Sequence, residues 1–496
     1  MQAINGTCDL KPSRYNVVFR INDTDTFYVF NCVRRSSAIV PRYFELVYGD
    51  ASYRDTSSAE SLSTLLKLGM VVTSKEAEEN EIFTRVFFER FPAGGYLGLT
   101  ICPTLNCPLA CPYCYQRPSR ITAKKEWNMS PDVEHAVLRF AEANLRGRDG
   151  LSVCWYGGEP LLRWNQFRRL SSNLRALVKE QGKNYHAGIV TSGWTLSEKK
   201  VCELVDEHGV TWVQVTLEMP PQRHQERRLG PKGENILPHL VKVITAAATH
   251  LTVDVRLNLA PDDLSDRTSQ EIITFLTESG ILQNPNVKAI TPCLIDADLY
   301  YRAEKVRVEL TDEGNFRNPP PTFSLEQLRA KVLRARVEAE GASSIEEERR
   351  LFSFFKRSLC GALQRDSFVV LPDGSLHKCW STVGHEGEEV GNVMDGVNLS
   401  SPNLGKWLRF QLSDFKECQN CAIFPICLGG CAFYRLQNLP AEQRCMSGFI
   451  ECLAKVATVE VHKALSLGKV TVTLVTSDLS SLPAYLVQDA PARAQS

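Results

Sequence analysis

Cys107, Cys111 and Cys114 stand in a C-x3-C-x2-C arrangement within TLNCPLACPYCYQ, residues 104–116. Three thiolates this close in sequence can hold three irons of a [4Fe–4S] cluster. The motif brings no fourth cysteine, so one iron is left open, and an open coordination position is what a metal site needs to bind and activate a ligand. Tyr113, one residue before the last cysteine, sets an aromatic face beside the site. Zinc competes for such a pattern, because C-x2-C pairs are also zinc ligands and Cys102 offers another thiol. Cys102 reads better as a small strand residue near the core, since it ends the apolar run Tyr96–Cys102.

A second group follows at Gly157–Gly158–Glu159–Pro160. The glycines let the backbone approach a ligand with no Cβ in the way, and the carboxylate can accept from an amino group. By itself the tetrapeptide is also an ordinary turn. Arg256 and Asn258 stand two apart in another apolar run, and a guanidinium fork suits a carboxylate. Towards the C-terminus come Cys360, Cys379, Cys418-x2-Cys421-x5-Cys427-x3-Cys431 and Cys445.

The first cysteine group resembles the signature of radical S-adenosylmethionine (radical SAM) enzymes, and Gly157–Pro160 resembles their GGE motif, which holds the SAM amino group. The resemblance implies that the open iron chelates SAM, which is cleaved reductively to a 5′-deoxyadenosyl radical. It assigns Tyr113, Gly157, Gly158, Glu159, Pro160, Ser192 and Arg256 to cofactor binding. Three segments match more loosely. Val190–Trp194 carries Ser192 where relatives have T-N-G, and Arg256 with Asn258 matches R-x-N. Gln214–Glu218 with His224 and Arg228 resembles Q-x-T-L-D-G…H-D-x-x-R, with Glu218 and Met219 in place of Asp–Gly. The later cysteines are similar to the seven-cysteine order of SPASM domains, implying two auxiliary [4Fe–4S] clusters. Carried over, Cys418, Cys421, Cys427 and Cys445 (or Cys452) serve one, and Cys360, Cys379 and Cys431 the other. A zinc-ribbon reading of these pairs stands beside it.

These residues need a scaffold. Apolar runs at Tyr96–Cys102, Leu151–Tyr156, His186–Thr191, Thr211–Leu217, Leu251–Leu259 and Val287–Cys293 alternate with stretches of helical spacing. Ser130–Pro131 caps the first helix. Six strands alternating with helices mean parallel βα units, and active sites of such α/β sheets form at the C-terminal strand ends, where the first cysteine loop lies. The expected fold is α/β, a (β/α)6 partial TIM barrel over 94–322. Before it, 1–93 reads as a small α+β domain: a hairpin from Arg14 to Asn31, then a helix at Ala59–Leu68. Its layout is similar to the peptide-recognition element of ribosomal-peptide-modifying enzymes, where a leader peptide adds as a strand. A strand pair that merely covers the barrel is the competing reading. Linking helices are expected over 323–359, with capping boxes at Ser324-x-x-Gln327 and Ser344-x-x-Glu347. The cysteine-rich domain is expected over 360–455 and a strand-like VTVTLV with a tail over 456–496.

At 496 residues the chain is long enough for two or three domains. Its 57 Lys and Arg balance 57 Asp and Glu, with no basic stripe to favour nucleic acid. No apolar run reaches the ~18 residues of a membrane helix, and no signal pattern opens the sequence, so the expected location is the cytoplasm. Seventeen cysteines, clustered in short spacings, argue for metal rather than disulfides.

Taken together, the pattern resembles radical SAM/SPASM maturases of ribosomally made peptides, which form thioether or carbon–carbon crosslinks. The partners implied are a precursor peptide and an electron donor of the flavodoxin or ferredoxin type. Anaerobic sulfatase-maturing enzymes are the runner-up; they carry Asp after the cysteine matched by Cys379, where this chain has Trp380. Radical chemistry on a small molecule is a further reading of the same residues. A zinc-binding scaffold without catalysis is a reading of another class.

Overall fold

The computed structural model describes residues 11–48, 56–73, 95–109, 111–116, 127–295, most of 360–410, 418, 421–436 and 472–475, with isolated helical positions at 328–339 and 453–465. The chain divides into two compact units, Pro92–Glu348 with Gly361–Arg409, and Met1–Phe91 with Arg349–Cys360 and Phe410–Ser496.

The first of these is the expected barrel. Strands β1 (Tyr96–Ile101), β2 (Gly150–Trp155), β3 (Asn184–Thr191), β4 (Val210–Glu218), β5 (Thr252–Leu259) and β6 (Val287–Leu294) lie side by side in chain order, every neighbouring pair parallel. Helices α1 (Pro131–Asn144), α2 (Trp164–Glu180), α3 (Glu198–Asp206), α4 (Leu237–Ala247) and α5 (Asp266–Glu278) fill the crossovers. Local sequence explains the helix starts. Ser130, Ser197 and Ser265 each accept from a backbone N–H three residues on, at 3.3, 3.4 and 3.0 Å. Alternation explains the strands: Val253, Val255 and Leu257 are buried in the core shared with the helices, while Asp254 and Arg256 on the other face are half-buried. No helix among the described residues is long and apolar enough to cross a membrane.

The sheet does not stop at β1. Strand β7 (Ser367–Val370) joins its free side in parallel, and β8 (Ser375–His377) returns antiparallel through the turn at Gly374, whose φ of +83° favours glycine. Two short strands, Gly391–Asn392 and Gly396–Val397, complete ten. The segment 360–455, read from sequence as one domain, is therefore shared between units: hydrogen bonding of β7 to β1 draws 361–409 into the barrel unit.

In the other unit, strands Asn16–Ile21, Thr26–Asn31 and Ser36–Pro41 form an antiparallel meander, with Val472–Val475 antiparallel on the outer side of Asn16–Ile21. The expected hairpin is there, and a third strand and the C-terminal strand extend it. One face of the sheet (Tyr15, Phe19, Tyr28, Phe30) shares a core with Cys421, Ile426, Cys427 and Leu453. The opposite face packs Val18, Val29 and Val40 with Tyr43, Leu65 and Met70, the latter from the helical segments Tyr43–Tyr48 and Thr56–Lys67 and the turn after them. Buried Asn31 ties this together, its Nδ2 donating to Ser13 Oγ, Asn16 Oδ1 and Gly69 O at 3.0, 2.9 and 2.7 Å. The expected linking helices with their capping boxes fall largely outside the described residues.

Candidate functional site

The cysteine loop leaves the C-terminal end of β1 and is pinned at its start. Leu105 N and Thr104 Oγ1 both donate to Trp127 O at 2.9 Å, and Met129 N donates to Pro103 O at 2.9 Å. Beyond that anchor lie Cys107 (exposed), Cys111 (buried) and Cys114 (half-buried), with Cys114 N donating to Cys111 O at 3.2 Å. Desolvation around the sulfur pushes the Cys107 thiol up to about 12, although the residue as a whole is exposed; Glu159, Cys111 and Cys114 add to it. Burial pushes the Cys111 thiol up to about 11, against the lowering effect of Arg228. Cys111 and Cys114 thus lie near enough to raise Cys107, and Cys114 to raise Cys111, and three neighbouring thiols are the donor set a metal cluster requires. Cys102 lies fully buried at the strand end, as expected of a small core residue.

The glycine pair packs straight onto this loop. Gly158 N donates to Thr104 O at 3.0 Å and Glu159 N to Asn106 O at 2.9 Å. A Cβ on Gly157, where φ is +111°, would lie 2.3 Å from Thr104 O, and one on Gly158 2.3 Å from Asn106 O. Glycine is required here first for contact between two loops. Glu159 is fully buried, and its carboxylate accepts from Leu161 N (3.1 Å), Thr191 Oγ1 (2.8 Å), Ser192 N (2.7 Å) and Ser192 Oγ (2.5 Å). Pro160, buried, opens the short 3-10 turn that this carboxylate caps. The sequence assigned Glu159 and Ser192 separately; the structure joins them and uses the carboxylate to tie the end of β2 to the end of β3.

Across the barrel mouth a second polar group converges. Tyr113 donates to Glu218 Oε1, which also accepts from Arg228 Nε at 3.0 Å and Asn258 Nδ2 at 3.2 Å. Asn258 Nδ2 and Arg228 Nη2 lie 3.0 and 3.4 Å from the Tyr113 hydroxyl, and Arg256 Nε donates to Asn258 Oδ1 at 2.9 Å. Burial first, then Glu218, pushes the Tyr113 phenol up, keeping it a donor. Glu218 Oε2 is buried with no hydrogen-bond partner among the described residues. A buried acceptor left open in this way costs free energy until a donor arrives. The thiol triad and this waiting acceptor fit a cluster with a ligand bound beside it. Behind the network, Arg227 and Asp263 form a buried pair at 2.6 Å.

A third feature was not read from sequence. Tyr115 and Tyr156 meet hydroxyl to hydroxyl at 2.8 Å, and the Tyr156 ring stacks on Trp380 with centroids 5.4 Å apart. Trp380 remains 48% exposed, which leaves an indole face open beside Cys379. Cys379 is buried at the start of a 3-10 turn, its Sγ accepting from Ser381 N at 3.4 Å.

The remaining cysteines belong to the other unit. Cys421 and Cys427 are buried, Cys418 is half-buried, and Cys431 is exposed after Leu428, Gly429 and Gly430, all at positive φ. Cys360 is exposed and closes the segment 349–360 of that unit. Cys32, read from sequence as an inert thiol, shares their core and sits near enough to Cys421 for each charge to oppose the other. Cys445 and Cys452 lie outside the described residues.

Residues 101–244 match the model of the Radical SAM superfamily. A serine-type anaerobic sulfatase-maturating enzyme of Klebsiella aerogenes is 24% identical over 348 residues, covering 69% of this chain and 80% of that protein. The radical SAM cyclopropyl synthase TigE of Paramaledivibacter caminithermalis is 21% identical over 286 residues, covering 53% and 57%. Among solved structures, native anSMEcpe with bound AdoMet is similar in fold, with a TM-score of 0.53, 17% identity and coverage of 74% of this chain and 99% of that one. The same protein with AdoMet and the Kp18Cys peptide gives 0.50 and 17%, covering 67% and 89%.

Proposed function

This chain is a radical SAM enzyme through its domain at 101–244, and from that premise we propose that it modifies a ribosomally synthesised peptide by hydrogen-atom abstraction, with a thioether, a carbon–carbon crosslink or a related edit as product. The observation that carries the reading is the packing of Gly157–Glu159 onto the Cys107–Cys114 loop at the mouth of a parallel barrel. When bound there, a [4Fe–4S] cluster with SAM supplies the 5′-deoxyadenosyl radical.

The chain's own residues have separable tasks. Cys107, Cys111 and Cys114 hold the cluster. The Gly157–Gly158 backbone and the Arg256–Asn258 pair position the cofactor. Tyr113, Glu218 and Arg228 keep the mouth polar and fixed. Cys418, Cys421, Cys427 and Cys445, with Cys360, Cys379 and Cys431, are assigned to two auxiliary clusters.

A peptide as substrate is supported by the relatives that act on proteins and by the peptide in the anSMEcpe structure. In the N-terminal sheet, Ser36–Pro41 is an edge strand among the described residues, whereas the opposite edge is taken by Val472–Val475. An extended leader peptide can add there through main-chain hydrogen bonds. A one-electron donor of flavodoxin or ferredoxin type completes the scheme.

Sulfatase-type oxidation of a Cys or Ser is the second reading. It is weakened by Trp380, an indole where that family places a carboxylate. The deciding experiment incubates anaerobically reconstituted protein with SAM, a reductant and the short peptides encoded beside its gene. Release of 5′-deoxyadenosine coupled to a peptide mass loss of hydrogen supports the reading. Nucleoside release with no change in any peptide, but oxidation of a sulfatase-derived Cys peptide, replaces it with the second.

A further inference from the structure

The N-terminal sheet brings a further thiol to the later cysteines. Cys32 follows the strand Thr26–Asn31, and its N–H donates to Tyr15 O at 2.9 Å, so the strand pairing runs on through it. Alternation puts Cys32 on the face of Tyr28 and Phe30, opposite Phe27 and Val29. That face packs with Cys421, Ile423, Ile426 and Cys427, all within one compact unit. Cys32 is fully buried, and Cys421 and Cys427 are buried with it.

Both sides of this contact are held in place. Asn31, next to Cys32, accepts from Val33 N at 3.1 Å and Arg34 N at 2.8 Å, while its amide donates to Ser13 and Gly69. Across the core, Cys421 N donates to Cys418 O at 3.4 Å and closes the C-x2-C turn. Cys427 N donates to Ile423 O at 2.9 Å in the helical turn that follows. Three cysteines of a ligand set thus come from one short segment, and Cys32 meets them from the sheet.

A single buried cysteine is ordinarily an inert core residue. Two features separate Cys32 from that case, its cysteine neighbours and a cation. Burial first and Cys421 second raise its thiol well above the usual range, and Arg35 acts in the other direction. Thiolates this close repel one another unless a metal holds them, and a guanidinium nearby offsets part of the negative charge that a cluster with four thiolates carries. The ligand count points the same way. The family order offers seven later cysteines, which fill one set of four and leave the other with three. With Cys32 there is a thiolate for every position of two clusters.

We propose that Cys32 is the fourth thiolate of the auxiliary [4Fe–4S] cluster held by Cys418, Cys421 and Cys427. It takes the place that the family order gives Cys445, which leaves Cys445 or Cys452 for the set of Cys360, Cys379 and Cys431. The inference rests on the auxiliary-cluster reading above. It makes the cluster a covalent link between the N-terminal sheet and the cysteine segment.

The test measures iron and labile sulfide per chain, with EPR spectra, on the anaerobically reconstituted full chain and its variants. Cys32→Val fills the buried space but cannot bind iron, whereas Cys32→Ser is polar and offers an oxygen ligand. A ligand at this position means that Cys32→Val loses between about one and four irons, and that Cys32→Ser keeps more iron than Cys32→Val with an altered auxiliary-cluster signal. Cys202→Ala, at a half-buried cysteine outside every set, keeps wild-type iron. Full iron with a wild-type spectrum in Cys32→Val overturns the proposal, and so does equal iron loss in Cys32→Val and Cys32→Ser, which marks a packing defect. A Cys32–Cys421 disulfide found by mass spectrometry in the reconstituted protein overturns it too. Replacing Cys418, Cys421 and Cys427 with alanine reports separately on the underlying reading. If that variant loses no iron, the auxiliary cluster falls and this ligand with it; if it loses about four while Cys32→Val loses none, only the role of Cys32 falls.

Discussion

Glu159 and Ser192 meet through two hydrogen bonds to one carboxylate oxygen, from the main-chain N–H at 2.7 Å and from the hydroxyl at 2.5 Å. With Thr191 and Leu161 also donating, four donors converge on two oxygens. A carboxylate is acceptor-only, so it suits this position in a way that an amide does not. Glu159→Gln turns an NH2 group toward donors and leaves at least one buried polar group unmet. The expected cost is about 1–3 kcal/mol of stability, read as a lower Tm, together with reduced 5′-deoxyadenosine release. An unchanged Tm would mean that the clamp carries no load in the folded protein.

Gly158→Ala tests the contact between the two loops. The new Cβ would lie 2.3 Å from Asn106 O and 2.4 Å from Leu105 O, and both are backbone atoms that cannot rotate away. Either the cysteine loop or the glycine turn must shift. The variant is expected to fold, to incorporate less iron on reconstitution and to lose SAM cleavage by more than about tenfold. Full iron content with wild-type nucleoside release would show that the loops tolerate separation.

Replacing Cys107, Cys111 and Cys114 together with alanine should remove about four irons of an expected twelve or so per chain and abolish nucleoside release. Replacing Cys418, Cys421 and Cys427 should lower iron by about four while leaving the SAM-dependent visible and EPR changes of the first cluster. Zinc in place of iron at the second group would assign it to structure instead.

His224 predicts an acid limit. It is fully buried, and burial first and Arg228 second lower its pKa from 6.5 to about 3. Above about pH 6.5 the imidazole is neutral in both folded and unfolded chains, so it has no effect. Below that value the unfolded chain binds a proton that the folded one refuses, and stability falls by up to about 1.4 kcal/mol per pH unit until the folded pKa is reached. Between pH 6.5 and 5, where few carboxylates titrate, Tm should drop in the wild type and drop less in His224→Leu. Parallel curves would refute the assignment.

Much of the barrel was legible because each strand is an apolar run bounded by turn residues, and all six begin and end within about two residues of expectation. The cysteine and glycine motifs were legible because their chemistry depends on local spacing. The Tyr113–Glu218–Arg228–Asn258 network was only partly so. Its members come from a loop, the end of β4, the residue that follows the short helix His224–Arg227 and the end of β5, and nothing in sequence spacing reports that they converge. The two short strands around the Pro372–Ser375 turn were legible, but the parallel pairing of β7 with β1 was not, because four residues (SFVV) carry little pattern and their partner lies in a distant part of the chain. The edge strand Ser36–Pro41 (SSAIVP) lacks alternation and follows Arg35 at a φ of +54°, a turn signal absent from the residue type.

The pairing of Val472–Val475 with Asn16–Ile21 makes this sheet depend on residues translated about 450 positions later. Until they arrive, Asn16–Ile21 is an open edge, and the core beneath it lacks Cys421, Cys427 and Leu453. Loop closure over such a span is slow compared with local folding, so the barrel, whose strands are consecutive, can be complete on the ribosome while this sheet waits. The order of assembly then follows: the Cys107–Cys114 loop is presented on a finished scaffold while this sheet waits, and Cys421 and Cys427 are buried against the sheet only once their own segment has been made. Deleting Val472–Val475 would reopen the Asn16–Ile21 edge and leave the strand pairings of the barrel in place.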